Sequence, residues 1–169
     1  MQMIGQDLNS DIGEAMKMGM RRLASGVCIL STKCSAGTPS AMTVSSVTSV
    51  SDTPPSLLVC VNNRTSTGEV LREGVPFCIN VLSYNQQLIS RYCASPDSKN
   101  LRFSDNRWKY VSSSGAPYLE GSQAVFFCDQ DQTISYNTHD IFIGRIQEVL
   151  VEAGPVSSLI YLDGSYQRL

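Results

Sequence analysis

The first part of the chain has hydrophobic positions spaced as in an amphipathic helix, which predicts a helix over residues 12–24. Asp11 followed by Glu14 is typical of a capping-box-like start, and Gly26 provides a stop signal. We interpret the Met-rich stripe of this helix as core or interface packing rather than as a cofactor site. The apolar or small residues at helical spacing are Ile12, Ala15, Met16, Gly19 and Leu23.

Beyond this helix the pattern changes to short runs that are typical of β-strands. The runs are rich in β-branched and apolar residues, and turn signals such as residues 35–39 and 52–55 separate them. One run is continuously apolar, as in a buried strand. The predicted strands cover residues 27–32, 43–50, 57–61, 76–82, 123–129, 139–151 and 158–162.

A second helix is predicted after residue 82. Ser83 and Gln86 form a capping box at its start, and Pro96 lies just beyond its end. Residues 94–122 form a long irregular segment of the kind that serves as a functional loop or a covering arm. Many short strands with two helices predict a mainly β fold that closes, or nearly closes, into a barrel. The side chains expected on one side of the second helix are Leu88, Ile89 and Tyr92.

Length and composition favour one soluble domain over residues 1–169, with a disordered stretch at residues 1–10. The chain is 42% hydrophobic and 17% charged, which is enough for a core. Its formal net charge is −2, and no basic stripe indicates nucleic-acid binding. No apolar run approaches the roughly 18–20 residues of a membrane span, and the start lacks a signal-peptide pattern. The six cysteines include no C-x-x-C pair, so we expect reduced, structural thiols in a cytoplasmic protein.

Motifs for several common chemistries are missing. There is no dinucleotide-binding glycine motif after a strand, no phosphate loop and no nucleophile elbow. His139 is the sole histidine, and its neighbour Asp140 points to the opposite face of a strand, which argues against a Ser–His–Asp arrangement. No ligand spacing indicates a metal site, and none is expected. Hydrolase and metalloenzyme functions are therefore disfavoured.

Small hydrogen-bonding side chains are concentrated in two segments. Residues 41–50 carry five hydroxyl groups, a composition that suits the polar edge of a flavin ring but also a solvent-facing edge strand. Residues 62–68 follow an apolar strand with amides, hydroxyls and Arg64, whose guanidinium can bind a phosphate through two hydrogen bonds. The alternative for the second segment is a polar turn before a short helix near residues 69–72, with Thr67 as its N-cap.

Together these segments resemble the flavin reductase-like, FMN-binding split-barrel family, in particular the small reductase components of two-component aromatic monooxygenases. The likeness is collinear from about residue 16 to residue 169. The matching stretches are RLASGV at 22–27, MTVSS at 42–46, SVS at 49–51, PPSLLV at 54–59, NRTST at 63–67, FCINVL at 77–82, HDIFIGRI at 139–146 and LIYLDGSY at 159–166.

The resemblance implies a homodimer of Greek-key split barrels with FMN or FAD in a groove near the interface. NADH or NADPH would pass hydride to flavin N5, and reduced flavin would diffuse to a separate oxygenase. His139 would position the nicotinamide or the reduced flavin, and Ser66 and Thr67 would bind the phosphate. The ring and ribityl would be contacted by Met42, Thr43, Val44, Ser45 and Ser46, and flanked by Cys60, Val61 and Asn62. Asn63 and Arg64 are further predicted cofactor-binding residues.

Other interpretations stay open on the sequence. The family's aromatic residue after the paired serines is Val47 here, and residues 92–108 are serine-rich instead of aromatic and acidic. Without the resemblance, a structural strand histidine is the favoured interpretation of His139, and this alternative stays open beside the positioning role. Arg91 could bind a phosphate, although we favour an exposed side chain that extends to solvent. A flavin-binding module without turnover, or a protein with tightly bound FMN that reduces another acceptor, are the alternative functions.

Overall fold

The computed structural model describes residues 11–104, 106–110 and 115–168; the expectation for residues 1–10 lies outside them. The fold is mainly β, as predicted. The helices are α1 (Ile12–Met20), α2 (Ser66–Leu71) and α3 (Gln87–Ala94), with 3-10 segments at Tyr84–Gln86 and Pro96–Leu101. The strands are β1 (Ser25–Gly26), β2 (Cys28–Lys33), β3 (Pro39–Val44), β4 (Val47–Asp52), β5 (Pro55–Asn62), β6 (Phe77–Val81), β7 (Trp108–Tyr110), β8 (Pro117–Leu119), β9 (Ala124–Tyr136), β10 (His139–Val151), β11 (Leu159–Leu162) and β12 (Ser165–Arg168).

Seven antiparallel strands form the main sheet, in the order β3-β2-β6-β9-β10-β5-β4. Its two edges, β3 and β4, are consecutive in the chain, and Ser45 and Ser46 alone connect them. A link this short spans at most about 11 Å between the flanking Cα atoms. The end of one edge strand therefore lies close to the start of the other, and the sheet curls into a barrel.

Buried side chains of the described residues form three clusters, and alternate positions of one strand contribute to different clusters. In β2, Leu30 faces the barrel interior with Phe77 and Phe142, whereas Ile29 faces a second cluster beneath α3. The second cluster also contains Trp108 of the β7–β8 hairpin. Residues 94–122, predicted to be irregular, thus include a 3-10 segment and a hairpin that cover this cluster. A small sheet of β1, β11 and β12 flanks it; the prediction missed β12.

Local signals explain where the helices begin, but two predictions about them were wrong. Asp11 caps α1 through its carboxylate and the Gly13 N–H (2.9 Å), while Glu14 binds Lys17 instead of completing a capping box. The helix ends at Met20 rather than at residue 24, and none of its residues is buried, so its Met-rich stripe contributes no core packing within this chain. The capping box of Ser83 and Gln86 is confirmed.

The predicted side of α3 is confirmed only in part. Of its three residues, Ile89 is buried and Tyr92 is partly buried, whereas Leu88 is 59% exposed; Ser90 and Cys93 are the other buried residues of the helix. Strand β9 continues seven residues beyond its predicted end and forms a long hairpin with β10. All six cysteines are free thiols. No helix among the described residues has the length and hydrophobicity needed to cross a membrane.

Candidate functional site

A groove runs along the outer face of β3. It consists of three adjoining cavities of about 330, 230 and 270 Å³. The first two share Thr43 and Ala94, and the second and third share Ser45 and Tyr161. We call this continuous depression the β3 groove, with a cation end at the 330 Å³ cavity and a helix end at the 270 Å³ cavity beside α1.

The predicted ring-binding strand contributes to this groove unevenly because its side chains alternate. Thr43 faces α3, and its hydroxyl donates to the Ser90 carbonyl oxygen (2.6 Å). Met42 and Val44 pack against the barrel core and line the groove as well. Thr43 is therefore the member of this group that links the groove to the neighbouring helix.

Ser45 and Ser46 interrupt the strand predicted over residues 43–50, which in fact divides into β3 and β4. The Ser46 hydroxyl accepts from the Cys60 N–H (3.1 Å) and donates to the Cys60 carbonyl (2.9 Å), so it attaches the link between β3 and β4 to β5. Ser45 is exposed where two cavities meet, and its side chain has no hydrogen-bond partner among the described residues. Its hydroxyl is available to a ligand.

The loop after β5 forms one wall of the cation end. Thr65, not Thr67 as predicted, is the N-cap of α2: its hydroxyl accepts from the Gly68 N–H (3.1 Å) and donates to the Asn62 carbonyl (2.8 Å). Thr67 is buried, with its hydroxyl 2.9 Å from that of Ser40. The residues of this loop that line the cavity are Arg64, Thr65, Ser66 and Thr67.

Ser66 and Arg64 are the two open groups on this wall. Neither side chain has a hydrogen-bond or ion-pair partner within the part of the chain that the structure describes. Ser66 is half-buried and Arg64 is exposed. Both N–H groups of the first helical turn, at Ser66 and Thr67, also lack intrahelical acceptors. This wall therefore presents donors and a positive charge to the cavity.

Four predicted cofactor-binding residues, Cys60, Val61, Asn62 and Asn63, line none of the three cavities. Val61 is buried in the barrel core. The Asn62 side chain accepts from the Arg64 N–H (2.9 Å), and that of Asn63 donates to the Asn137 carbonyl (2.8 Å), so both organise the loop. The backbone N–H and carbonyl of Cys60 form hydrogen bonds with the Ser46 hydroxyl. The structure thus brings residues 42–45 together with residues 64–67, and places residues 60–63 behind them.

His139 lies at the start of β10, paired with Asn62 in the sheet. Its side chain is exposed, with Nδ1 2.9 Å from the Thr138 hydroxyl. As expected from strand alternation, Asp140 faces inward, where its carboxylate accepts two hydrogen bonds from Arg72 (2.6 and 2.9 Å). Asp140 therefore does not orient His139, and a Ser–His–Asp arrangement is absent among these residues.

Sequence reasoning missed the aromatic wall opposite β3. Tyr161 and Tyr166 pair across the β11–β12 hairpin, with ring centroids 5.3 Å apart, and both line the groove. The Ser90 hydroxyl lies 2.9 Å from that of Tyr166, and the Arg91 guanidinium lies over the same ring. Arg91 therefore braces the wall, which neither of its two predicted roles included. The pairing that creates the wall requires β12, which the sequence did not reveal.

Arg102 was also missed, because a single arginine in an irregular segment carries no sequence signal. It lines the cation end and is only 9% exposed. Its guanidinium donates from Nη1 to the Ala41 carbonyl (2.9 Å) and from Nη2 to the Ser95 carbonyl (3.0 Å). Its Nε is buried without a partner, and no carboxylate among the described residues pairs with it.

The chemistry of the groove is that of binding rather than of nucleophilic attack. Burial raises the pKa of the Cys93 thiol at the cation end to about 12, so this thiol stays protonated at neutral pH. The described residues contain no cluster of three or more His, Cys, Asp or Glu side chains that could hold a metal ion. The groove offers hydroxyls at its middle and positive charge at one end.

Comparison with known proteins agrees with this arrangement. The family described as "Flavin reductase like domain" matches residues 20–169. FMN reductase (NADH) RutF of Serratia proteamaculans (strain 568) is 36% identical over 150 residues, which cover 89% of this chain and 84% of that protein.

Two solved structures share the fold. A candidate flavin reductase from Haemophilus somnus 129PT is 31% identical, with a TM-score of 0.87 over 95% of this chain and 100% of that one. BorF, the flavin reductase component of a bacterial two-component tryptophan halogenase, is 28% identical, with a TM-score of 0.84 over 93% and 98%. The mainly β barrel is therefore a flavin reductase split barrel, and the chain belongs to the flavin reductase-like family.

Proposed function

We propose that this protein is an NADH-dependent flavin reductase that binds FMN in the β3 groove. The observation that carries the proposal is the pairing of open hydroxyl groups at Ser45 and Ser66 with positive charge at Arg64 and Arg102. The relative reported above is named FMN reductase (NADH) RutF. FMN has this same distribution of groups, with a hydrogen-bonding ring at one end and a phosphate at the other.

In this proposal the protein contributes position and solvent exclusion, while a bound flavin supplies the hydride-accepting chemistry. Ser45 and the residues around it, Thr43 and Val44, hold the ring. Ser66 and Arg64 bind the phosphate, with the buried Thr67 supporting them. The groups present therefore fit a flavin, and no protein nucleophile is required.

A turnover assay tests the proposal. Purified protein is mixed with NADH and free FMN, and the loss of nicotinamide absorbance is followed. We expect a rate that increases with added FMN. Protein that binds flavin yet does not oxidise NADH would support a non-catalytic module, and a rate independent of added FMN would support tightly bound flavin with another acceptor. Repeating the assay with FAD and NADPH tests the choice of both substrates.

A substitution that blocks the groove tests where the flavin ring binds, and the same substitution outside the groove is its control. Ser45→Trp would place a bulky side chain where two cavities meet, so we expect loss of flavin binding with a normal melting temperature. Thr48→Trp, on the exposed face of β4, serves as the control and should keep wild-type turnover. Retained FMN affinity in Ser45→Trp would contradict the placement of the ring.

We also propose that His139 positions the nicotinamide. Its exposed ring lies beside Asn62, at the end of the strand that leads into the cation-end loop. His139→Ala should raise the KM for NADH and lower the hydride-transfer rate, while Gln132→Ala, an exposed change on β9, should alter neither. Unchanged kinetics in His139→Ala would leave the histidine with a structural role only.

The exposed apolar residues of α1 and of the turn that follows it support a proposed homodimer. Met16, Met20 and Leu23 are each more than half exposed and line the helix end of the groove. A second copy seated there would cover them and close the groove. Light scattering should give about twice the chain mass of 18.5 kDa, and Met16→Lys with Met20→Lys should give the monomer. A monomeric wild type would contradict this.

We further propose that reduced FMN leaves the protein and serves a separate oxygenase. The support is the open groove and the likeness to BorF, a component of a two-component system. After anaerobic reduction by NADH, ultrafiltration should recover reduced FMN in the filtrate. Flavin retained with the protein would favour a resident cofactor instead.

A further inference from the structure

Arg102 places a positive charge in the interior of the molecule, at the cation end of the β3 groove. Its side chain is more than nine-tenths buried and lines the cavity together with Arg64 and Ser66. Two carbonyl oxygens, of Ala41 and Ser95, fix the guanidinium in place. The arginine is therefore held in position before any ligand arrives.

This charge lacks the partner that buried charges usually have. Burial of an unpaired cation is costly, and proteins normally compensate it with a carboxylate or another anion. Within residues 11–104, 106–110 and 115–168, Arg102 forms no ion pair, and its Nε has no hydrogen-bond acceptor. The carbonyl oxygens satisfy donors but do not neutralise the charge.

We infer that Arg102 selects phosphorylated flavins over riboflavin, because its fixed charge is compensated when a phosphate occupies the cation end. This inference rests on the proposed function and names the group that decides which flavin is bound. Arginine suits this role since its planar donors match phosphate oxygens. Arg64, which is exposed and unconstrained, adds charge but must be ordered on binding.

FMN and NADH both carry phosphate groups, so the molecule whose phosphate binds at the cation end must be identified. The flavin is favoured because the cation end shares Thr43 with the cavity that contains the open Ser45 hydroxyl. One molecule with a ring at Ser45 and a phosphate at Arg102 would therefore occupy a continuous groove. The diphosphate of the nicotinamide nucleotide is the competing source.

The experiment compares FMN and riboflavin, which differ only in the phosphate. Dissociation constants are measured by flavin fluorescence for the wild type and for Arg102→Gln, which removes the charge but keeps an amide donor. We expect FMN binding to weaken by about tenfold or more, as for loss of a charge-assisted hydrogen bond, with riboflavin binding unchanged. Arg145→Gln, which removes an equal charge from an exposed position on β10 that lines none of the three cavities, is the control and should change neither constant.

Riboflavin binding also reports whether the variant is folded. If Arg102→Gln does not fold, Arg102→Lys is used, and the preference for FMN over riboflavin should still fall by roughly threefold, because lysine cannot reproduce the planar donor set. An unchanged preference in the folded variant overturns the inference. A rise in the KM for NADH at saturating riboflavin, without a change in the flavin preference, also overturns it by assigning Arg102 to the nicotinamide diphosphate.

The two proposals fail in different ways. If the wild type neither binds flavin nor oxidises NADH with it, the proposed function is wrong. If the wild type reduces both flavins but Arg102→Gln retains the wild-type preference, the reductase function stands and the role of Arg102 is wrong.

Discussion

Two neighbouring serines show how strongly a residue's role depends on which way its side chain points. Ser45 and Ser46 are adjacent and chemically identical, and both are exposed in the link between β3 and β4. The Ser46 side chain makes two hydrogen bonds to the Cys60 backbone, whereas the Ser45 side chain makes none with the described residues and lines the groove. Within one dipeptide, Ser46 is therefore assigned to stability and Ser45 to the proposed ligand binding.

Alanine substitutions should reveal this division. Ser46→Ala removes both bonds to Cys60, so we expect the free energy of unfolding in urea to fall by about 1 kcal/mol. Ser45→Ala should leave that free energy unchanged and weaken FMN binding by severalfold, because only the groove loses a donor. Equal effects of the two changes on stability would contradict the hydrogen-bond assignment.

At the scale of elements, a glycine in β10 allows the side chains of Phe77 and Cys128 to pack directly against the β10 backbone. A Cβ added at Gly144 would lie 2.5 Å from Phe77 Cζ and 2.8 Å from Cys128 Cβ. The register between β9 and β10 also shifts between Ile143 and Gly144. The tight approach of β10 to its neighbours therefore depends on the absence of a side chain at this position.

Gly144→Ala should consequently strain the barrel. We expect the free energy of unfolding to fall by about 1–3 kcal/mol, the usual cost of overpacking a core, as measured by urea denaturation. Gly19→Ala in α1 is the control: a Cβ there meets nothing within 4 Å, and alanine favours the helix. A Gly144→Ala variant as stable as the wild type would show that Phe77 can move aside.

The short helix α2 depends on a second glycine. A Cβ at Gly68 would lie 2.9 Å from the Asn62 carbonyl oxygen and 3.1 Å from the Thr65 hydroxyl. Glycine thus lets the helix lie against the end of β5, which sets the position of Ser66 at the cation end. The proposed phosphate site therefore depends on the close packing of α2 against the end of β5.

At the scale of the whole molecule, an ion pair joins α2 to the barrel. The Ser135 hydroxyl and the Arg72 guanidinium hold the pKa of Asp140 below its ordinary value, although burial opposes them. The unfolded carboxylate titrates near pH 4. The pair therefore stabilises the fold fully above that pH, and this stabilisation is lost as the pH falls through the lower pKa of the folded state.

Asp140→Asn should make the free energy of unfolding less dependent on pH in the acid range. At neutral pH we expect the variant to unfold with about 1–3 kcal/mol less free energy, because Arg72 loses its charged partner. As the pH falls below about 4, the wild-type and variant curves of unfolding free energy should converge, because the carboxylate of the wild type becomes protonated. Asp52→Asn, at an exposed position, should follow the wild type. Parallel curves for Asp140→Asn would contradict the assignment.

The sequence by itself determined the features that rest on local signals. Alternating and continuous apolar runs located most strands, since burial on one or both faces fixes their pattern. Ser83 and Gln86 identified a helix start because both capping partners lie within one turn. His139 and Asp140 were placed on opposite faces for the same local reason, and collinear motifs gave the family resemblance.

Only the tertiary structure decided where the chain turns and which groups meet. β-branched residues continue across Ser45 and Ser46, so the break there follows from barrel closure rather than from propensity. Leu88 was predicted on the same side of α3 as Ile89, yet Ile89 and Cys93 are buried and Leu88 is exposed. The Arg102 guanidinium is held by the carbonyl of Ala41, 61 positions away in the sequence. Its burial and its hydrogen bonds depend on groups that only the fold brings together, so the sequence could not indicate them.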